Sequence, residues 1–595
     1  MCRIAGIVSN KNQGQQASRL VTSMCNDMQH GGPDDSGIWN NTEGGVVLGH
    51  RRLSIIDLTR NGHQPMSNPG KNAWITFNGE IYNYRELKRE LQKLGAQFAS
   101  ETDTEVILQA YLHWGTASFN KLKGMFAFAL YDVAAAKTYL VRDTSAIKPL
   151  YYTTADGQLI FASEIKAFKA AGAVTEADKR WPVWLLSFGH IPEPYTTLKN
   201  VFSLPKGHFL CWNNATNTHA ITKYSYEQAG AIITDQHIAQ QGIYHQLNQA
   251  VKRQLISDAP IGVFLSGGID SSILTLLANE ENLQQLKTIS IYFDEKQYDE
   301  RSYQNAVLQK INGENFSHLV NEQDFKTFLP KILDTMDMPT TDGINSWFIS
   351  KYAHDDGLKA VLSGIGADEL FGGYPSFARI KFLRYIRTIP GWALLRTSLL
   401  PVKQVKRLSY LVHNHPAADY LFLRGLFAIE DIAKILDMNE AEIITILFGS
   451  HDFSQPTAYD KLQAAWFETN MYMQNQLLRD TDVMSMSHGL EVRVPFLDED
   501  FRAFINRIAP QIRFDSARPK KILIDSFKAL LPRNVWDRPK MGFTFPLQQW
   551  MKNEKNIADE SMYNTKFAKN IIKEFKNDRV HWSRAFALYQ VQKHV

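Results

Sequence analysis

The first part of the chain alternates short apolar runs with turns, and segments of helical spacing lie between them. The predicted strands are 4–8, 45–48, 73–77, 126–131, 138–141 and 159–161, and the predicted helices are 17–28 and 84–94. Short strands joined by turns are typical of antiparallel sheets, whose outer faces the helices would cover. The pattern predicts stacked antiparallel sheets with flanking helices, an α+β layer fold.

The pattern changes after a polar, turn-rich stretch at 213–238. Beyond it, the apolar runs 261–265, 286–293 and 358–362 are predicted to be buried strands that alternate with helices. Such alternation favours an α/β doubly wound parallel sheet with its ligand at the carboxyl ends of the strands. We therefore predict a domain at 1–212, a linker at 213–238 and a second domain at 239–595.

Composition changes this picture little. With 595 residues, 44% hydrophobic and 21% charged, the chain is predicted to be a soluble globular protein of two or more domains. The net charge of +4 gives no support for a nucleic-acid or membrane partner, and no signal peptide or membrane-spanning run is visible. Three cysteines, Cys2, Cys25 and Cys211, do not make a disulfide framework, which favours the cytoplasm.

A glycine-rich turn follows the strand 261–265. It reads Ser266-Gly267-Gly268-Ile269-Asp270-Ser271-Ser272 and leads into a helix. Glycines let the backbone approach a ligand, and the N–H groups at a helix start attract anions. Its hydroxyls and acid suit phosphate and a divalent cation, although the turn lacks the lysine of the usual nucleotide loop. A simple strand-to-helix connection is the alternative.

A second acidic turn, containing Asp368 and Glu369, follows the strand 358–362. The ends of parallel strands meet at one edge of a sheet, so both turns are predicted to face one crevice. Asp270 and Asp368 are then candidate Mg²⁺ ligands. The alternative for Asp368 and Glu369 is a helix N-cap pair.

Cys2 is the candidate nucleophile of the first domain. If Met1 is removed, the thiol and a free α-amine lie on one residue, and the amine can act as the base. Asn78 and the Gly79 N–H could hold an oxyanion, Arg52 could bind a carboxylate, and Asp103 could bind an ammonium group. Together these groups describe a site for a free α-amino acid with a cleavable side-chain amide. An inert early cysteine is the alternative.

Several motifs resemble the glutamine-hydrolysing asparagine synthetase family. They are Met1-Cys2-x-Ile-Ala-Gly-Ile, His50-x-Arg52-Leu-Ser-Ile, Phe77-Asn-Gly-Glu-Ile-Tyr-Asn83, Thr102-Asp103-Thr and the Ser266–Ser272 turn. The resemblance covers nearly the whole chain. It implies an N-terminal-nucleophile glutaminase sandwich followed by an ATP-pyrophosphatase domain.

The resemblance also implies residue roles. Cys2 would attack the amide of glutamine, with Asn78 and Gly79 as the oxyanion hole. Glutamine would be held by Arg52, Leu53, Ile55, Ile56, Asn78, Glu80 and Asp103. ATP would be held by Leu265, Ser266, Gly267, Gly268, Asp270, Ser271, Ser272, Ile291, Ser363, Gly364 and Lys540, with Mg²⁺ on Asp270 and Asp368.

The sequence departs from the family pattern at several positions. Arg3 stands where the family usually has Gly, and Gly31 where its His-Arg-Gly-Pro-Asp has Arg. Ile365 stands where the family's Ser-Gly-Glu-Gly turn has Glu, and an isoleucine cannot accept a proton. The family's Thr-Thr-x-Arg is Thr340-Thr341-Asp342-Gly343 here, so the Arg is missing, and Asp342 should repel an α-carboxylate unless a cation lies beside it.

The sequence therefore predicts a glutamine-dependent amidotransferase that adenylates a carboxylate, by default aspartate, with ATP and Mg²⁺. A different acceptor, such as a sugar carboxylate or a secondary metabolite, is the alternative within enzymes. A plain glutaminase and a non-catalytic assembly protein are the alternatives from other classes. Homodimerisation stays open.

Overall fold

The computed structural model describes residues 2–9, 14–41, 45–225, 230–281, 286–397, 403–449, 458–515, 518–539 and 541–594. Its first half contains the strands β1 Arg3–Val8, β2 Asp35–Asn41, β3 Val46–Arg52, β4 Met66–Ser67, β5 Ala73–Ile81, β6 Gly124–Asp132, β7 Lys137–Arg142, β8 Tyr151–Thr153, β9 Leu159–Ala162, β10 Phe202–Ser203, β11 His208–Asn213 and β12 Thr218–Lys223. Its helices are α1 Gly14–Asp27, α2 Tyr84–Lys93, α3 Asp103–Trp114, α4 Ile165–Ala170 and α5 Trp181–Phe188.

These strands form two six-stranded antiparallel sheets, in the orders β10-β8-β9-β1-β3-β2 and β12-β11-β7-β6-β5-β4. The alternation of side chains along β1 explains the stacking. Ile4 and Val8 pack into the cluster shared with β6, whereas Ala5 and Ile7 pack with α1. The predicted α+β sandwich is confirmed. Strand β12 lies inside the stretch 213–238 that the sequence assigns to a linker, and its exposed residues carry no apolar alternation.

The second half is built around a five-stranded parallel sheet. Its strands are β13 Ile261–Phe264, β14 Leu286–Tyr292, β15 Gly313–Leu319, β16 Ala360–Leu362 and β17 Glu491–Arg493, in the order β15-β14-β13-β16-β17. The predicted doubly wound sheet is confirmed, because β13 pairs in parallel with both β14 and β16.

Helices cover this sheet and extend beyond it. They are α6 Gln236–Gln254, α7 Ile269–Glu280, α8 Arg301–Leu308, α9 Glu322–Thr335, α10 Ile344–Asp355, α11 Ala367–Phe371, α12 Ser376–Ile386, α13 Gly391–Arg396, α14 Lys403–Lys406, α15 Pro416–Arg424, α16 Ile429–Leu436, α17 Glu440–Phe448, α18 Lys461–Phe467, α19 Arg479–Met486, α20 Glu499–Asn506, α21 Pro510–Arg513, α22 Lys521–Phe527, α23 Arg533–Trp536, α24 Leu547–Lys552, α25 Lys555–Ala558, α26 Lys566–Lys576 and α27 Trp582–His594. A π-helical segment, Glu468–Leu478, joins α18 to α19. Within the described ranges, no helix combines the length and apolarity needed to cross a membrane.

One hydrophobic cluster spans the two halves. Helix α5 is buried along its whole length, and its residues belong to the same cluster as those of α10, α15 and α27. Polar contacts also cross the boundary: the Asp337 carboxylate accepts from the N–H groups of Ile165 and Lys166 at 2.8 and 2.9 Å. This packing fixes the distance between a site in the first half and a site in the second.

Two candidate active sites

The first site forms where the two sheets stack. Cys2 immediately precedes β1 of one sheet, and Asn78 lies in β5 of the other. The nitrogen of Cys2 donates to Asn78 Oδ1 at 3.1 Å, and the thiol donates to the carbonyl oxygen of Leu53 at 3.9 Å. The fold therefore brings Cys2, the predicted nucleophile, into contact with the side-chain amide of Asn78, a predicted member of the oxyanion hole.

The side-chain amide of Asn78 has a donor that is available to a ligand. Its Nδ2 atom is buried and makes no hydrogen bond within the part of the chain that the structure describes. A buried donor without a partner costs about 1–3 kcal/mol, so its retention points to a ligand atom that it would meet. Beside it, a Cβ on Gly79 would lie 2.1 Å from the carbonyl oxygen of Met125, so only glycine fits in β5 there. This arrangement suits an oxyanion hole.

The thiol of Cys2 needs a base. Burial raises its pKa, although the charge of Arg52 opposes this. Because the thiolate is the nucleophile, a proton acceptor has to lie beside it. The Cys2 nitrogen becomes an α-amine when Met1 is removed, and its contact with Asn78 fixes its position.

Arg52 is held by the loop that follows it. Its Nη1 donates to Thr59 O at 2.8 Å, and its Nη2 donates to the carbonyl oxygens of Asp57 and Ile56. Ile55 O, in turn, accepts from the N–H of Asp258 at 3.0 Å, which ties this loop to the second half. A ligand carboxylate would have to compete with these carbonyl oxygens for the guanidinium.

Glu80 and Asp103 lie at the boundary between the halves. Glu80 Oε1 is 3.6 Å from Nη2 of Arg493, and Asp103 Oδ2 accepts from the N–H of Ile81 at 3.0 Å. Burial raises the pKa of Asp103 to about 6 and that of Glu80 well above its ordinary value. A bound ammonium group would favour the charged form of both carboxylates, which burial disfavours.

Arg3 and Gly31, two of the departures from the family pattern, lie next to each other in the fold. Arg3 is fully buried, and it contacts Glu164 through Nε at 2.6 Å and Asp482 through Nη1 at 2.9 Å. A Cβ on Gly31 would lie 2.7 Å from Cγ of Arg3. The bulk of Arg3 therefore points away from the thiol, and it fills the space that a larger residue at 31 would need.

The second site is a cavity of about 1210 Å³ at the carboxyl ends of β13, β14 and β16. The predicted ATP-binding residues that line it are Leu265, Ser266, Gly268, Asp270, Ser271, Ile291, Ser363 and Gly364. The two acidic turns do face one crevice: a Cβ on Gly364 would lie 2.9 Å from Cβ of Asp270. Gly267 and Ser272 belong to the turn but do not line the cavity, and Lys540 lies outside the described residues.

The serine hydroxyls hold the glycine-rich turn together. Ser266 Oγ and Ser271 Oγ are 3.0 Å apart, and Ser272 Oγ donates to Gly268 O at 2.7 Å. Arg538 also stabilises the turn, because its Nη2 donates to Gly267 O at 3.0 Å. The hydroxyls that the sequence assigned to phosphate thus also stabilise the conformation of the turn.

Lys520 is a site residue that sequence reasoning missed. Its Nζ lies 2.5 Å from Asp270 Oδ2 and 2.5 Å from Asp368 Oδ1, and the side chain is almost fully buried. These carboxylates raise the pKa of Lys520 against the effect of burial. The signal available in the sequence was the basic run that contains Arg518, Lys520 and Lys521 just before a helix.

The same geometry tests the predicted Mg²⁺ site. Asp270 and Asp368 converge within reach of one cation, and Mg²⁺ is commonly bound by one or two carboxylates together with substrate phosphates. Among the described residues, no group of three or more metal-ligating side chains exists. The two acids fit a cation that a triphosphate helps to hold.

The Lys520→Met variant should lower the thermal midpoint, because it leaves two carboxylates facing each other without a cation. Both acids are partly exposed, so we expect a loss of about 1–3 kcal/mol rather than the full cost of a broken buried pair. Differential scanning calorimetry with and without Mg²⁺ should show a larger recovery by Mg²⁺ in this variant than in the parent. Lys521→Met, which breaks a more exposed pair with Asp525, is the matched control. Equal recovery in both variants would contradict the shared cation site.

Part of the cavity lining lies outside the predicted ATP-binding set and carries charged side chains, and we call this part the acceptor end. Ile365, Asp342 and Asp480 line it, together with Arg424 from α15, a segment with no chemical signal in its sequence. The Arg424 guanidinium lies 3.6 Å from the ring centroid of Tyr472, and its Nε is 2.7 Å from Glu468 Oε2. Burial raises the pKa of Asp342, and the charge of Arg424 opposes this rise. The charge of Arg424 thus acts on Asp342, although the ion pair of Arg424 is with Glu468.

Comparisons with known proteins agree over nearly the whole chain. The glutamine amidotransferase domain family matches residues 1–226, and the asparagine synthase family matches residues 242–581. Asparagine synthetase [glutamine-hydrolyzing] 1 of Bacillus subtilis is 31% identical, over 97% of this chain and 91% of that protein. Asparagine synthetase [glutamine-hydrolyzing] 3 of the same organism is 28% identical, over 95% and 91%. A protein named amidase chry2, from Gibberella zeae, is 27% identical, over 91% and 87%.

Proposed function

The chain belongs to the glutamine-hydrolysing asparagine synthase family, and from this premise we propose that it converts L-aspartate to L-asparagine. The amide nitrogen would come from glutamine, and ATP would activate the carboxylate. One observation carries the proposal: the glycine-rich turn, the two converging acids Asp270 and Asp368, and an acceptor end with both acidic and basic side chains line the same cavity.

In the first site, the Cys2 thiolate would attack the side-chain carbonyl carbon of glutamine. The thiol proton would pass to the α-amine, and Asn78 Nδ2 with the Gly79 N–H would stabilise the oxyanion. The α-ammonium group then returns this proton to the amide nitrogen, and ammonia leaves as the C–N bond breaks and a thioester forms. Water then hydrolyses the thioester and releases glutamate.

In the second site, the β-carboxylate of aspartate would displace pyrophosphate from the α-phosphate of ATP. The glycine-rich turn and Lys520 would bind the phosphates. Asp270 and Asp368 would hold Mg²⁺, which would neutralise phosphate charge when bound. Ammonia would then attack the acyl-adenylate and release AMP.

Contacts that join the two sites support a shared reaction. The side chain of Arg493 contacts Glu80, and its carbonyl oxygen accepts from the N–H of Ser363 at 2.8 Å. One residue of β17 therefore touches the predicted glutamine site and the predicted nucleotide turn. Enclosure between them would keep ammonia from being protonated and diluted in bulk water.

The acceptor end suits an α-amino acid. Arg424 would bind the α-carboxylate, and Asp342 with Asp480 would bind the α-ammonium group. Glu369 would accept the proton that Ile365 cannot, since burial raises its pKa to about 7, and it accepts a hydrogen bond from the Tyr374 hydroxyl at 2.8 Å. A base is most effective when its pKa lies near the working pH.

A second candidate keeps the chemistry and changes the acceptor to a larger carboxylate. Ile365 makes part of the cavity wall apolar, and the volume of about 1210 Å³ exceeds the 300–1,000 Å³ that is typical of small-ligand sites. Such a cavity has room for an acceptor larger than aspartate beside ATP.

The experiment that separates the two candidates is ATP–pyrophosphate exchange on purified protein, with aspartate as the only carboxylate and without ammonia. We expect exchange that depends on aspartate, because adenylation is reversible. The Asp270→Asn variant should lose exchange and serves as the control. If folded protein that hydrolyses glutamine gives no exchange with aspartate, the acceptor is a different carboxylate.

The same assay examines Glu369. The Glu369→Gln variant should keep aspartate-dependent exchange and lose formation of the amide, because its proposed role comes after adenylation. Loss of both together would place Glu369 in nucleotide binding instead.

Removing the charge of Arg424 should raise the KM for aspartate by about 10- to 100-fold, the range expected for a hydrogen bond to a charged group. The test variant is Arg424→Gln/Glu468→Gln, because Glu468 is buried and would lose its partner in the single variant. Glutamine hydrolysis should stay unchanged, since Arg424 lies in the other site. Steady-state kinetics with aspartate varied would contradict the assignment if the KM did not change.

A further inference from the structure

An exposed apolar surface runs along α12, the turn after it and α13. Its members are Phe382, Tyr385, Ile389, Trp392 and Leu395. Trp392 is 64% exposed and Tyr385 is 70% exposed, which is unusual for large aromatic side chains. We call these five residues, with the cations described below, the basic apolar surface.

The opposite face of the same segment anchors it to the protein. Phe377, Ile380 and Leu383 of α12 and Leu394 of α13 are buried in the core. The exposed residues are therefore in excess of those that packing requires. Contiguous exposed apolar groups usually mark a surface that binds a partner or a membrane.

Positive charge is concentrated on the same segment. Residues 370–418 contain eight Lys and Arg and no Asp or Glu, and two of the eight, Arg387 and Lys406, pair with Asp419 and Asp431 beyond this range. Lys381, Arg384 and Arg396 are exposed, and none of the three forms an ion pair within the described ranges. Lys381 Nζ lies 5.2 Å from the ring centroid of Phe382, and the Arg396 guanidinium lies 5.4 Å from that of Trp392. Cations and apolar groups are thus interleaved.

We propose that the basic apolar surface binds the surface of an anionic lipid bilayer. Trp and Tyr are favoured at the level of lipid headgroups, and aliphatic side chains enter the acyl boundary. Lys and Arg near an anionic bilayer each contribute about 1 kcal/mol of attraction. The interleaving of both types along one exposed segment is the pattern of an interfacial segment that lies on a membrane without crossing it.

Other occupants fit less well. A second copy of the chain would bring the same cations together without an acid in 370–418 to balance them. A nucleic acid would attract the cations but would gain little from Ile389 and Leu395. The net charge of +4, which gave no support for a membrane partner, hides this surface because acids elsewhere in the chain cancel its charge.

The surface lies close to the cavity along the chain. Helix α12 begins two residues after Tyr374, and α13 packs against the segment Arg407–Val412, whose Arg407 lines the cavity. Membrane binding at this surface would therefore take place close to the acceptor end of the cavity. The binding proposal does not depend on that link or on the proposed function.

The test is co-sedimentation of the full chain with vesicles of phosphatidylcholine alone and of phosphatidylcholine mixed with phosphatidylglycerol. We expect binding to the mixed vesicles that weakens as salt is raised, and little binding to phosphatidylcholine alone. No binding to the mixed vesicles at low salt would overturn the proposal.

Charge reversal locates the surface. The variant Lys381→Glu/Arg384→Glu/Arg396→Glu should reduce the partition coefficient by roughly 100-fold, since each lost attraction is worth about fivefold. The matched control reverses three exposed lysines of the first half, Lys71, Lys93 and Lys179, and should retain most of the binding. Equal loss in both would mean that net charge alone drives binding, which overturns the proposed surface.

Apolar insertion is tested separately. The Tyr385→Ser/Trp392→Ser variant should lower binding about 10-fold or more at moderate salt while glutamine hydrolysis is unchanged, which also reports that the protein is folded. Light scattering without lipid should give the same mass for this variant and the parent. A change in mass would show that the surface joins two copies of the chain, which overturns the membrane proposal.

Discussion

The Cys2→Ala variant should lose glutamine-dependent amide formation by at least about 1,000-fold, the scale expected when a nucleophile is removed. With ammonia supplied directly, the same variant should form product at the parent's rate. The glutamine-dependent reaction should fail without the ammonia-dependent one because the two sites lie apart. Cys2 and Asn78 lie between the stacked sheets, whereas the glycine-rich turn lies at the parallel sheet.

Cys25 provides the matched control. It is also buried, and burial raises the pKa of its thiol to about 12, so it carries no thiolate at neutral pH. The Cys25→Ala variant should therefore hydrolyse glutamine normally. Intact mass spectrometry should show that Met1 is absent from both variants, because the proposed mechanism uses the α-amine of residue 2. Unchanged glutamine hydrolysis in Cys2→Ala would show that the nucleophile is misplaced.

The Arg3→Gly variant should destabilise the protein by about 3 kcal/mol. It leaves Glu164 and Asp482 buried with one partner fewer, and breaking a buried pair costs about 3–5 kcal/mol. His30 still contacts Glu164 and Lys148 still contacts Asp482, so the lower end of that range applies.

The compensating change is Gly31→Arg. Alone it should destabilise the protein, because a Cβ at 31 already lies 2.7 Å from Cγ of Arg3. In the double variant Arg3→Gly/Gly31→Arg, the new guanidinium has the vacated space and the same two acids to contact. Thermal denaturation should show a coupling of about 2–3 kcal/mol between the two positions. A double variant as unstable as the sum of the two single variants would mean that the positions do not share one role.

This pair also shows why the departures mislead when they are considered one at a time. In the sequence, Arg3 is a large residue in the place of a glycine next to the candidate nucleophile, and Gly31 is a glycine in the place of an arginine. In the structure, the guanidinium occupies the space beside Gly31 and contacts an acid of the first half and one of the second. A substitution at one position can be balanced by another because side chains from distant positions reach the same point.

The sequence by itself determined the two folds, and it supplied the candidate nucleophile and the candidate phosphate-binding turn. Alternation of period two and helical spacing specify which face of each element is buried, and a glycine-rich turn between strand and helix is a local property of the backbone. Cys2, Asn78, Asp270 and Asp368 could be named for this reason, since each sits in a short motif whose geometry its neighbours dictate.

The tertiary structure alone decided which charges meet. Lys520 reaches Asp270 across 250 positions of sequence, Arg424 enters the cavity from a segment without a motif, and Arg493 touches both sites. The basic apolar surface likewise became visible only when burial separated Leu383 and Leu394 from Phe382 and Trp392. Long side chains carry charge several ångströms from their own backbone, so their partners are set by the packing of whole elements and not by sequence spacing.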